Sequence, residues 1–344
     1  MTNGPNCGLH VQFPPKLATN DTIRVLALSR SLGGVAKLMG MTEDDVRFAV
    51  SQIESLGLRV DFGRWVWEHD SLLTASREQR LEDLHEAITD PSVKAILAVS
   101  GGAGAIQLLD GIDYDLVRAH PKIICGYSDI ANVCNAIYSR AGVATYCGPN
   151  FTSFMMQKGL DYTLRSFREC LFHDDPLHLE PAETWSDDAW FKDQDHREFL
   201  PNDGFWPIQD GRAEGRVVGG THQCISLLQG SRYFPPLREA ILFLEGQAQE
   251  VVTLWDLDWA LRALSYQTQF DGVCGLVLGR FARRGEVTRE GIAELVKSIP
   301  ALNHLPVIAN CDFGHTTPTA TLPIGGKCSL DVHEGRASIT IFEH

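Results

Sequence analysis

The stretch Ile123-Ile124-Cys125-Gly126-Tyr127-Ser128-Asp129-Ile130 leads an apolar run through a glycine into a polar pair and then into an amphipathic helical pattern. A strand that turns sharply into a helix exposes a serine hydroxyl at its end. The backbone N–H that follows points the same way and can stabilise an oxyanion. Ser128 and the amide of Asp129 would fill these two roles in nucleophilic hydrolysis. The pattern is half of Gly-x-Ser-x-Gly, with Ile130 in place of the second glycine. A Ser-Asp pair is equally a routine helix N-cap, so this stretch alone leaves both readings open.

A nucleophilic serine needs a base, and the base needs an acceptor to orient it. Among twelve histidines, His315 stands apart: it follows the apolar residues 305–309 and sits among small residues in Asp312-Phe313-Gly314-His315-Thr316-Thr317-Pro318. His173, His178 and His196 lie in polar surroundings, and His344 is at the end. A loop histidine either does chemistry or hydrogen-bonds its own loop. Glu245 closes the apolar run Ile241-Leu242-Phe243-Leu244, where a carboxylate must be solvated, paired or catalytic. Residues 101–104, Gly-Gly-Ala-Gly, follow another apolar run but lack the Lys-Ser/Thr of a P-loop and the spacing of a dinucleotide fingerprint. They form a plain tight turn or, because loops at neighbouring ends of a parallel sheet meet, supply a second oxyanion amide beside Ser128.

The elements that must position these residues alternate. Short apolar runs at 22–29, 58–63, 93–99 and 123–125 read as strands, and helical spacing occupies 42–56, 77–87 and 130–138. This predicts an α/β chain whose N-terminal domain, residues 15–150, is a mostly parallel sheet flanked by helices, flavodoxin- or Rossmann-like. Residues 171–204 hold ten Asp or Glu against Lys192 and Arg197, so 151–204 is expected as a connecting segment and substrate loop. A C-terminal mixed α/β domain, 205–344, follows from the runs at 211–220, 241–244, 273–278 and 307–309 and the helical patterns at 255–264 and 289–298. Two domains leave a cleft between them.

A chain of 344 residues exceeds one typical core, consistent with two domains. Its formal charge of −14 repels phosphate backbones and anionic lipid surfaces, so neither nucleic acid nor a membrane is expected as partner. No apolar run reaches the roughly 18–20 residues of a spanning helix, and residues 1–15 lack a basic end followed by an apolar core, so a cytoplasmic location is expected. Nine cysteines, with Cys125, Cys134, Cys224 and Cys274 inside apolar segments, read as buried reduced thiols. Without Cys-x-x-Cys or His-Glu-x-x-His, no metal is expected.

Taken together, these segments resemble the LD-carboxypeptidase family of serine peptidases, and more closely its microcin C self-immunity branch. The matching pieces run in order: the opening residues 14–29, the Gly-Gly loop, 112–130, 146–151, 215–237, 241–245, 275–281 and 306–326. The resemblance implies Ser128 as nucleophile, His315 as general base, Glu245 as the carboxylate that orients it, and the amides of Gly102 and Asp129 as oxyanion hole. It also implies an active site in the cleft between the domains, and a homodimer without cofactor. In the family generally the substrate is a peptidoglycan tetrapeptide cut before its terminal D-alanine. The immunity branch cuts the amide joining a peptide or aspartyl group to a modified nucleotide. Residues 185–190, Trp-Ser-Asp-Asp-Ala-Trp, resemble that branch's nucleobase-stacking loop, so Trp185 and Trp190, with Gly101, are expected at the substrate. The two tryptophans could equally pack the connection between domains.

Three segments depart from the family pattern. Residues 101–107, Gly-Gly-Ala-Gly-Ala-Ile-Gln, stand where the family often has Gly-Gly-Tyr-Gly-Ser-Asn-Arg, so polar substrate contacts from that loop are missing. Thr221-His222-Gln223 replaces Asn-Leu after Gly-Gly, and Gly246-Gln247-Ala248 replaces an acidic stretch. The expected activity is a carboxypeptidase-type amide hydrolase that disarms aminoacyl or peptidyl nucleotides. The alternatives are a murein tetrapeptide LD-carboxypeptidase and a non-catalytic nucleotide or small-molecule binder on the same fold.

Overall fold

Continuous apolar runs, rather than alternating ones, mark strands covered on both faces. In the computed structural model, which describes residues 10–247 and 251–344, the first half has this form. Strands β1 (Thr22–Leu26), β2 (Arg59–Phe62), β3 (Val93–Ala98), β4 (Ile123–Cys125) and β5 (Thr145–Cys147) alternate with helices α1 (Leu32–Met39), α2 (Glu43–Ser55), α3 (Arg77–Thr89), α4 (Tyr114–Ala119) and α5 (Ala131–Ala141). Every residue of β4 and β5 is buried. Capping boxes at Thr42/Asp45 and Ser76/Gln79 start α2 and α3. The five strands lie parallel in the order β2-β1-β3-β4-β5.

The acidic stretch is more structured than a loop. It contains the end of α6 (Asp161–Phe172), then β6 (Leu177–Leu179), β7 (Thr184–Trp185) and β8 (Leu200–Pro201). Beyond it run β9 (Trp206–Gln209), β10 (Gly211–Thr221), α7 (His222–Leu228), β11 (Ala240–Glu245), α8 (Leu254–Ser265), β12 (Val273–Gly279), α9 (Arg289–Ser298), β13 (Val307–Cys311), β14 (Leu322–Ile324), β15 (Lys327–His333) and β16 (Arg336–Glu343). The second sheet has the order β6-β16-β15-β10-β11-β12-β13-β9, with β10 to β13 parallel and the flanks antiparallel. Strand β14 leaves this half and pairs antiparallel with β5 of the first sheet.

Residues 211–221 form one long strand. At Gly219, with φ +134°, a Cβ would lie 2.1 Å from the carbonyl oxygen of Phe243, so close strand approach demands glycine there. Helix α5 is buried along nearly its whole length because it lies between the sheets, touching β5 on one side and β10 on the other. The loops after β3, β4 and β13 and the last residue of β11 therefore converge, at C-terminal ends of parallel strands. No helix among the described residues is long and apolar enough to cross a membrane.

Candidate active site

Ser128 follows β4 with φ +63°, a left-handed conformation uncommon for a residue with a side chain. Such a strained turn is what thrusts a hydroxyl out of the strand-to-helix bend. Neighbouring glycines make room for it. A Cβ on Gly101 would lie 2.6 Å from that of Ser128, and one on Gly126 would lie 2.7 Å from Oδ1 of Asn150. The same Asn150 oxygen accepts from the N–H of Tyr127 at 3.2 Å and steadies the turn. Neither Ser128 nor Asp129 caps α5 with its side chain.

The Ser128 hydroxyl meets Nε2 of His315 at 3.0 Å, and Nδ1 of the same ring lies 2.7 Å from Oε2 of Glu245. Three residues separated by up to 187 positions thus form one hydrogen-bonded line. Glu245 is 2% exposed. Burial pushes its carboxyl up, but the charge and hydrogen bond of His315, the hydroxyl of Thr221 and the charge of His222 outweigh this and hold it below the usual glutamate value. Glu245 therefore remains an anion that keeps the Nδ1–H of the ring facing it. At Gly314, φ +102°, a Cβ would lie 2.5 Å from Oε2 of Glu245, so only glycine lets this loop approach the carboxylate. Tyr127 meets the His315 ring edge-on, with ring centres 5.1 Å apart.

A second set of bonds ties the glycine loop to the serine turn. The carboxylate of Asp129, 4% exposed, accepts from Ser29 Oγ at 2.6 Å, from the Ala105 N–H at 2.7 Å and from Asn132 Nδ2 at 3.0 Å. Ser29 in turn accepts from the N–H of Gly104 at 3.3 Å, and the buried guanidinium of Arg80 donates to the Gly104 carbonyl at 3.0 Å. The altered loop 101–107 is thus held from behind by an internal network. The N–H of Gly102 finds no acceptor among the described residues. In the altered segment 221–223, Thr221 donates its hydroxyl to Glu245 Oε1, and just beyond it Cys224 donates to the carbonyl of Ser128 at 3.5 Å. Gln247 faces the site, while Ala248 lies outside the described residues.

The pocket opening onto Ser128 and His315 is lined by Arg30, Gly101, Gly102, Trp190, Phe191 and Gln247, among others. The two expected tryptophans part here. Trp190 borders the pocket with Phe191 beside it, ring centres 5.9 Å apart. Trp185 is not among its walls; the guanidinium of Arg280 covers its ring at 4.8 Å. Arg280 is itself buried against Asp312 at 2.8 Å. The Trp-Ser-Asp-Asp segment is pinned by its acids, Asp187 to Arg283 at 2.8 Å and Asp188 to the buried Arg197 at 2.9 Å. Its Ser186 exchanges backbone hydrogen bonds with Thr317, two residues beyond His315. Arg30, Ser29, Phe191 and Thr221 carried no signal of their own in the sequence. Each earns its place through a partner or pocket distant along the chain.

A serine, a histidine and a buried carboxylate in hydrogen-bonded line, at the meeting of two α/β halves, is the arrangement of a serine hydrolase. Residues 23–148 match the model of the LD-carboxypeptidase N-terminal domain and residues 214–330 that of the C-terminal domain. The chain belongs to the LD-carboxypeptidase family. It is 40% identical to YocD of Bacillus subtilis (strain 168), provisionally named a carboxypeptidase, over 96% of this chain and 100% of that one. It is 28% identical to the Microcin C7 self-immunity protein MccF of Escherichia coli, over 96% of both chains. Among solved structures, an MccF-like protein from Bacillus anthracis str. Ames superposes with a TM-score of 0.93 at 43% identity, covering 97% of this chain and 100% of the other.

Proposed function

We propose that the protein is a serine carboxypeptidase-type hydrolase that cleaves an amide through an acyl-enzyme, with Ser128, His315 and Glu245 as its triad. The observation that carries this is the placement of His315 between the other two, 3.0 Å from the hydroxyl and 2.7 Å from the carboxylate. Ser128 Oγ attacks the carbonyl carbon while His315 Nε2 takes the hydroxyl proton. The N–H groups of Gly102 and Asp129 receive the developing oxyanion. Collapse of the tetrahedral intermediate expels the amine, which takes the proton from His315. Water, deprotonated by the same nitrogen, then releases the acid. Glu245 stabilises the imidazolium formed in both halves.

The preferred substrate is an aminoacyl or peptidyl nucleotide. Trp190 and Phe191 border the pocket and offer faces to a base. A relative points the same way: MccF, 26% identical, has been solved in complex with aspartyl sulfamoyl adenosine. We take the working form to be a cytoplasmic homodimer without cofactor, as the family resemblance implies. We further propose residues 15–150 and 205–344 as its two domains. A comparison of kcat/KM on aspartyl sulfamoyl adenosine and on a murein tetrapeptide tests the substrate. Turnover of the first and not the second supports the proposal; the reverse assigns peptidoglycan recycling. A Ser128→Ala protein with undiminished hydrolysis of both overturns the triad.

A further inference from the structure

Among the described residues, the pocket bordered by Ser128, His315 and Trp190 is lined by one Lys or Arg side chain, Arg30, and by no Asp or Glu. This is notable in a chain whose formal charge is −14. Several other arginines with little exposure or with ordered partners are matched to acids: Arg24 to Asp61 and Asp90, Arg197 to Asp188, Arg280 to Asp312, Arg283 to Asp187 and Glu198. Among the described residues the Arg30 guanidinium has no such carboxylate and no hydrogen-bond acceptor. It is also held in place. Arg30 bridges antiparallel to Ser100 at the head of the glycine loop. Its stem lies across Gly102, where a Cβ would come within 3.0 Å of Arg30 Cγ.

We infer that Arg30 binds an oxyanion on the departing side of the scissile amide, a deepening that rests on the proposed function. An enzyme that removes a terminal group must tell a chain end from a chain interior, and the carboxylate is what marks the end. A peptidyl nucleotide carries the equivalent charge in the acyl-phosphoramidate or acyl-sulfamate joined to the leaving nitrogen. A planar guanidinium suits either, because its paired N–H groups match two oxygens of one anion. The polar substrate contacts missing from the loop 101–107 are thus replaced by a cation that enters from the loop after β1.

The test uses full-length Ser128→Ala protein, so binding is read without turnover, with and without Arg30→Met, which keeps a stem over Gly102. The probes are a murein tetrapeptide with a free terminal carboxylate, the same peptide ending in a carboxamide, and aspartyl sulfamoyl adenosine, each titrated by calorimetry. Arg30→Met is expected to weaken binding of the anionic probes at least tenfold and of the carboxamide less than twofold. Arg30→Lys should restore part of the loss. The anionic probe that loses more identifies the source of the oxyanion. Equal loss for acid and carboxamide, or no loss for either, overturns the role of Arg30 while leaving the proposed function standing. If Ser128→Ala protein with Arg30 intact binds none of the three, the proposed function falls and this inference with it.

Discussion

The side-chain amide of Asn135 grips the backbone of Gly219 at both polar atoms: Nδ2 donates to the carbonyl at 2.8 Å, and Oδ1 accepts from the N–H at 3.3 Å. Asn135 is fully buried on α5, behind the Ser128 turn, and Gly219 lies two residues before Thr221, which holds Glu245. This side chain therefore ties the half that carries the serine to the half that carries its partners.

Replacing Asn135 with leucine keeps the volume but removes the side-chain acceptor of the Gly219 N–H and leaves the Gly219 C=O with the weak Cys147 thiol at 3.9 Å as its side-chain donor. Each such group costs about 1–3 kcal/mol. Asn135→Leu should lose about 2–5 kcal/mol in urea unfolding, and its kcat should fall further than that of a surface variant of equal stability. Unchanged stability would mean the two halves are aligned by other contacts.

Ser128 has a left-handed backbone that glycine adopts freely. Ser128→Gly should abolish hydrolysis yet melt no lower than the parent, and Ser128→Ala should abolish it while staying folded. Thermal unfolding beside an activity assay separates strain held for function from simple loss of structure.

Glu245→Gln should lower kcat by about 100- to 10,000-fold, since a neutral amide can present its N–H to Nδ1 and favour the wrong tautomer. The variant also changes the response to acid. The Glu245 carboxyl is held below its ordinary value, so its contribution to stability is complete above the free glutamate range, about pH 4.3, and disappears as pH falls through the lowered folded value. Melting temperature measured from pH 7 down to pH 3 should therefore drop less steeply for Glu245→Gln than for the parent.

Arg280 and Asp312 form a buried pair whose side chains are 2% and 0% exposed. Burial already pushes the Asp312 carboxyl up, with Arg280 opposing it. Arg280→Met strands the acid and uncovers Trp185, so a loss of about 3–5 kcal/mol is expected. Limited proteolysis should then cut sooner between residues 186 and 198. A variant that kept both stability and protease resistance would remove this pair from the support of segment 186–198.

The sequence by itself determined which chemistry was at hand. An apolar run that ends in Gly-Tyr-Ser-Asp and enters a helix is legible because strand, turn and helix signals are local, and the strand bounds at Ile123–Cys125 were read without error. His315, in a loop of small residues beyond 305–309, and Glu245, closing the apolar run 241–244, stand out in the sequence, and collinear resemblance to a family joins them. Only the tertiary structure decided what depends on partners far apart in the chain. Ser29 meets Asp129 across 100 residues, and Thr221 became a second support for Glu245. Trp185 and Trp190, five positions apart in one motif, went to different neighbours, one under Arg280 and the other beside Ser128. Side-chain type and spacing specify what a residue can do; which of those things it does depends on the groups that folding brings within a few ångströms.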